Sequence, residues 1–129
     1  MKKIIIKSKK LKELINITPK LKDLLEKFPA EDGMLHLYLR HSTAALTTAY
    51  LEGDLDVIGA FEVIIPASSL AKAHTYHLGY LPAHVVASMF GPYLAIPVVK
   101  NKLMLGEFLS VALIELNGPR KREVLVDYR

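Results

Sequence analysis

A chain of 129 residues and 14.4 kDa can bury a core without disulfides or a structural metal, so one domain over residues 1–129 is expected. Its apolar share of 51% is high, yet no apolar run reaches the roughly 18 residues of a membrane span; the surplus points to a subunit interface instead of a bilayer. Cysteine is absent, which excludes disulfides, thiolate nucleophiles and Cys-ligated zinc, and the net charge of +4 comes mostly from lysines crowded near the N-terminus.

The chain starts Met1-Lys2-Lys3-Ile4-Ile5-Ile6-Lys7, whose three-residue apolar stretch is too short for a secretory signal, and a cytoplasmic location is expected. β-Branched Ile4 to Ile6 predicts a strand, and Leu14 to Ile17 a second. Thr18-Pro19 predicts a helix start with Thr18 as its cap; Leu21, Leu24, Leu25 and Phe28 then recur at helical spacing until Pro29. Nine of the thirteen lysines fall within the first 27 residues, with Phe28 the one aromatic residue beside them. They read as a solvated face and not as a nucleic-acid surface. Glutamine is missing while lysine and glutamate are plentiful, a bias associated with hot environments.

Asp32-Gly33 marks a turn before Met34 to Arg40, an apolar run predicted as a buried strand leading into His41-Ser42-Thr43. A strand over Ala45 to Leu51 follows, then a turn at Gly53-Asp54. Leu55 to Ile65 predicts a helix closed by Pro66, and Ser68 to His77 another. Pro82 is the expected first residue of a third helix, Ala83 to Phe90, ended by Gly91-Pro92. Tyr93 to Val99, Leu103 to Leu116 and Val124 to Tyr128 predict strands, the last two joined through Asn117-Gly118-Pro119. Strands and helices mix without a regular alternation, so the expected class is α+β with a largely antiparallel sheet.

Four groups of residues could carry chemistry. Arg40-His41-Ser42-Thr43 closes a strand, and a histidine beside two hydroxyls offers an acid or base together with hydrogen bonds for phosphate; it equally suits a structural histidine. Leu81-Pro82-Ala83-His84 sets His84 in a first helical turn, where free N–H groups favour anions, although an ordinary helix-start residue fits as well. His74 and His77, three residues apart, share a face if helical, and with His84 could hold zinc or a similar ion with one open position. The run from Glu115 to Arg122 reads as a turn with a basic rim, either solvated or in contact with phosphate. His36, alternating within an apolar strand, reads as structural. No glycine-rich phosphate loop, G-x-S-x-G elbow or H-E-x-x-H helix is present, which counts against those enzyme classes.

The order of the pieces is more specific than any one of them: His41-Ser42-Thr43-Ala44-Ala45, Pro82-Ala83-His84, Ala87-Ser88-Met89-Phe90-Gly91-Pro92, Leu105-Gly106, Glu115, and Gly118-Pro119-Arg120. From about Ile15 onward the chain resembles the YjbQ family on this series. The resemblance implies a compact α+β fold around a curved, sandwich-like antiparallel sheet, and a homotrimer with pockets near subunit contacts. It also implies a transferase of the thiamine-phosphate synthase type, joining a pyrimidine pyrophosphate to a thiazole phosphate. It carries His41, His84 and Thr43 over as catalytic residues and Ser42, Ser88, Gly91 and Arg120 as substrate-binding ones, with His74 or His77 standing for a further histidine.

Four positions depart from the family pattern. Ala49-Tyr50 replaces an Asn-Glu pair, so a magnesium-binding carboxylate would have to come from Glu52, Asp54 or Asp56. Val86 replaces a lysine and Leu109 a glutamine. Two rival expectations therefore stand beside the transferase: a metal-dependent hydrolase built on His74, His77 and His84, and a non-catalytic trimer that binds a phosphorylated metabolite.

Overall fold

Runs of branched and leucine side chains, separated by Gly, Pro and Asn turns, form eight strands and three helices among the described residues. The computed structural model describes residues 1–29, 31–52, 57–64 and 83–129, with the backbone alone for 61, 62 and 64. In chain order the elements are β1 (Lys2–Lys7), β2 (Glu13–Asn16), α1 (Thr18–Leu25), β3 (Gly33–Leu39), β4 (Ala44–Ala49), α2 (Val57–Ile64) and α3 (Ala83–Phe90). Four strands close the chain: β5 (Tyr93–Val99), β6 (Lys102–Leu103), β7 (Ser110–Glu115) and β8 (Lys121–Tyr128). They form a five-stranded sheet, β1-β8-β3-β5-β6, and a three-stranded sheet, β2-β7-β4, antiparallel at every pairing. This is the α+β, antiparallel architecture that the sequence predicts.

The two-residue period of a strand decides what each face buries. Ile4 and Ile6, Leu35, Leu37 and Leu39, Ile96 and Val98, and Val124 and Val126 turn from the larger sheet toward Leu46, Val111 and Leu113 of the smaller one. Leu21, Leu24 and Leu25 of α1 complete this core, as their helical spacing requires. Each fully buried leucine contributes about 2 kcal/mol through apolar area removed from water. On the other face of the smaller sheet, Ala45, Ile114 and Leu116 pack against Val86 and Ala87 of α3. Strand β7 is thus covered on both sides, with Val111 to Glu115 all buried.

The structure corrects several expected boundaries. Leu103 to Leu116 is not one strand: it breaks after β6, and Phe108 turns the chain with a φ of 65° while the Leu109 N–H donates to the Gly106 carbonyl at 3.1 Å. Thr18 is not the cap of α1. Ile17 holds that position, the Asn16 side-chain oxygen accepts the Thr18 N–H at 3.0 Å, and Thr18 Oγ1 accepts the Val111 N–H at 2.8 Å. The hydroxyl is drawn to β7 because that buried amide needs an acceptor. Strand β8 begins at Lys121, three residues before the expected Val124, so Arg122 lies inside a strand. The helix expected over Ser68 to His77, and the expected start at Pro82, lie outside the described residues. Among the described residues no helix is long and apolar enough to cross a membrane.

Candidate functional site

The pleat of β3 sends Leu35, Leu37 and Leu39 inward, and His41 lies two residues beyond the strand's end, partly buried. Its Nε2 accepts the backbone N–H of Glu123 on β8 at 3.0 Å. An acceptor nitrogen carries no proton, so the proton of the neutral ring sits on Nδ1. Burial, and next the positive charge of Arg122, hold the His41 pKa below its ordinary 6.5; Glu123 and Glu115 oppose them, and Arg40 adds to them.

Small side chains bring the second half of the site close. Ala45 on β4 and Ala87 on α3 sit in one buried cluster, which lets the helix approach the sheet. His84 and Ser88, one helical turn apart, then reach the opening beside His41. Together with Ser42 they are the polar members of a hollow of about 260 Å³, which Ala44, Ala87 and Pro92 complete. The Ser88 hydroxyl donates to the His84 carbonyl at 2.8 Å and keeps its lone pairs free to accept.

Behind His41 lies a buried charge pair. Strand alternation that turns Val124 and Val126 inward does the same to Arg122, and that of Val111 and Leu113 does the same to Glu115; both are almost wholly excluded from solvent. Arg122 donates through Nε to Glu115 Oε1 at 2.9 Å and through Nη2 to Oε2 at 2.5 Å, and Nη2 also donates to Thr43 Oγ1 and to the Thr43 carbonyl. The carboxylate further accepts the Ser8 hydroxyl at 2.6 Å and the N–H groups of Leu116 and Asn117. Burial alone would raise the Glu115 pKa; the bonds from Arg122, Ser8 and Asn117, with the Arg122 charge, outweigh it and hold the carboxyl below its ordinary 4.5. Glycine is required at 118, where a Cβ would run into the Lys10 carbonyl oxygen and come within 2.7 Å of Ser8 Oγ and 2.9 Å of Glu115 Cγ.

Of the residues singled out in the sequence, His41, Ser42, His84 and Ser88 share the hollow. Thr43 does not line it: the side chain is buried and its hydroxyl accepts from Arg122. Arg120 is exposed, away from the lining, with Nε donating to the Asn117 carbonyl at 2.8 Å. Gly91 acts through its backbone, ending α3 at a φ of 86° with its N–H on the Ala87 carbonyl. His36 lies apart, its Nδ1 2.5 Å from the Tyr93 hydroxyl. His74 and His77 lie outside the described residues, as do Asp54 and Asp56; among the described residues no three His, Asp or Glu side chains cluster as a metal site. Val86, at the position where the resemblance implies a lysine, is fully buried against the sheet. Sequence reasoning missed Arg122 by starting the last strand at Val124. Counting back by twos from Val126 would have found it.

The family described as UPF0047 protein YjbQ-like matches residues 2–129. A UPF0047 protein of Archaeoglobus fulgidus is 31% identical over 123 residues, covering 94% of this chain and 94% of that protein. Among solved structures, one from C. acetobutylicum aligns with a TM-score of 0.79 at 26% identity, covering 98% of this chain and 96% of that one. A hypothetical protein of Aeropyrum pernix K1 aligns with a TM-score of 0.84 at 23% identity, covering 99% and 96%, a likeness of fold.

Proposed function

We propose that this chain, which belongs to the UPF0047 YjbQ-like family, binds a small phosphorylated metabolite in the hollow between His41 and His84. The convergence of two imidazoles and two hydroxyls on one concavity carries this reading. The described lining holds no carboxylate, and His84 lies in the first described turn of α3, where the helix end favours anions. The proposed reaction is of the thiamine-phosphate synthase type: the thiazole nitrogen forms a bond to the pyrimidine's methylene carbon as the bond from that carbon to the pyrophosphate oxygen breaks. Hydroxyls and imidazoles hold the phosphate oxygens, and one imidazole, entering the step protonated, gives its proton to the departing pyrophosphate oxygen.

At about 260 Å³ the hollow is smaller than the roughly 300–1,000 Å³ of pockets that enclose a whole ligand. A neighbouring subunit would enlarge it, and a cytoplasmic homotrimer is part of the proposal. Exposed Tyr38 and Tyr93 on the larger sheet supply apolar area for such contacts. A solution mass near 14.4 kDa by light scattering would defeat the trimer. A bound divalent ion would neutralise pyrophosphate; among the described residues the lining offers His41 and His84 but no carboxylate for oxygen-seeking magnesium, and no step here runs through a metal.

Incubation with both phosphorylated precursors and magnesium is expected to yield thiamine phosphate, and a yield equal to that of a His41→Ala, His84→Ala double variant refutes the reaction. A second reading, binding without turnover, is favoured by Arg120 facing the Asn117 carbonyl and by buried Val86. It predicts a thermal shift with phosphorylated small molecules and no product.

A further inference from the structure

Two imidazoles on one hollow invite the question of which one moves a proton, and the hydrogen bonds around them differ. His41 is anchored to one strand. The Glu123 N–H on β8 donates to Nε2 at 3.0 Å, and next to Glu123 in sequence Arg122 is clamped to Glu115 on β7. Two residues beyond His41, Thr43 receives the same guanidinium through its carbonyl at 3.0 Å and its hydroxyl at 2.8 Å. A backbone N–H cannot donate to a nitrogen that already carries a proton, so protonating Nε2 would break the bond to Glu123 and orphan that amide.

Resting on the reading of the hollow as a phosphate site, we infer that His41 serves it as a neutral hydrogen-bond donor through Nδ1–H, leaving proton transfer to His84. Nε2 is committed to the strand, so Nδ1 is the nitrogen that the ring can offer to the hollow it lines. A neutral N–H donor suits an anionic oxygen that must be held without being protonated. The charges that bear on the ring are Arg122 and Glu123 from β8, Glu115 from β7 and Arg40 beside it, with His84 facing it from α3. Burial and Arg122, the largest influences, both favour the neutral form. His84 is exposed on the helix and free of such a strand bond.

Long-range ¹H–¹⁵N NMR of the labelled protein tests this without turnover. The expected result is a single Nδ1–H tautomer for His41 that stays neutral below pH 6.5, the ordinary value. An Nε2–H tautomer, or protonation at or above that value, overturns the inference. Added inorganic phosphate is expected to move the His41 Nδ1 signal. Phosphate that moves nothing, with the tautomer as expected, counts instead against the phosphate reading of the hollow, so the two failures are told apart. In turnover, His41→Asn, whose amide can place an N–H near the Nδ1 position, is expected to retain activity within about tenfold of the parent. His41→Ala is expected to lose about ten- to a hundredfold, the worth of one hydrogen bond to a charged group. Equal loss in both variants identifies His41 as the proton carrier and overturns the assignment.

Discussion

Replacing Arg122 with methionine keeps most of the side-chain volume and removes the positive half of a buried pair. Four hydrogen bonds go with it, two to Glu115 and two to Thr43. Removing one partner of a buried ion pair costs about 3–5 kcal/mol. Glu115 retains the Ser8, Leu116 and Asn117 donors, which places the expected loss near about 3 kcal/mol, a large part of the roughly 5–15 kcal/mol of a typical domain. The loss also has a pH signature. In the parent, the folded-state pKa of Glu115 lies below 4.5, so its contribution is present above that pH and disappears as pH falls through the depressed value. Without Arg122, burial meets less opposition, the carboxyl rises, and protonation relieves the stranded charge. Each unit of that rise narrows the gap between variant and parent by about 1.4 kcal/mol on acidification. Urea unfolding followed by circular dichroism, at fixed protein concentration and at about pH 7 and pH 4, measures both quantities. A gap under about 1 kcal/mol at neutral pH, or one that does not narrow in acid, refutes the argument.

Gly118→Ala should destabilise by more than about 2 kcal/mol through backbone and Glu115 displacement, whereas Gly91→Ala, with nothing within 4 Å of the added Cβ, should lose about 1–2 kcal/mol from its positive φ alone; thermal unfolding compares them. His84→Ala and Ser88→Ala, both exposed, should leave stability within about 0.5 kcal/mol of the parent while weakening phosphate binding, and an unchanged phosphate titration would count against the hollow. Because the folded-state pKa of His41 lies below 6.5, the unfolded chain binds its proton first, so stability should decline as pH falls from 6.5 through the folded value. Substituting His41 with Asn should remove that decline, as chemical denaturation across the window will show. The glutamine-free, lysine-rich composition predicts a melting temperature above the roughly 45–65 °C of mesophilic domains, readable by calorimetry.

Periodicity made most of the architecture legible. Leu21, Leu24 and Leu25 lie on one helical face, and Leu35, Leu37 and Leu39 on one strand face, so α1 and β3 could be placed from spacing alone. The shared hollow was legible through the ordered motifs, since His41 and His84 are 43 positions apart and no local rule joins them. Other features depended on distant partners. Thr18 looks like a cap to its neighbours, but its hydroxyl is taken by an amide 93 residues away. Phe108 adopts a left-handed backbone conformation that a bulky side chain rarely takes, so nothing in the apolar run from Leu103 announced a break there. Arg120 was singled out through the Gly-Pro-Arg resemblance while Arg122 was read only as part of the basic rim of the turn, and the burial of Arg122 comes with a carboxylate on another strand.

The double coverage of β7 has a consequence for how this scaffold can vary. Its odd-numbered positions speak to the interior between the sheets and to the buried charge pair, while Ala112 and Ile114 face the other way, Ile114 packing against α3 together with Leu116 just past the strand's end. Exchanges at 114 or 116 can therefore tilt the helix and reshape the hollow beside it with the inter-sheet packing untouched. A single strand lets selectivity and folding be tuned by alternate letters of the same six-residue word.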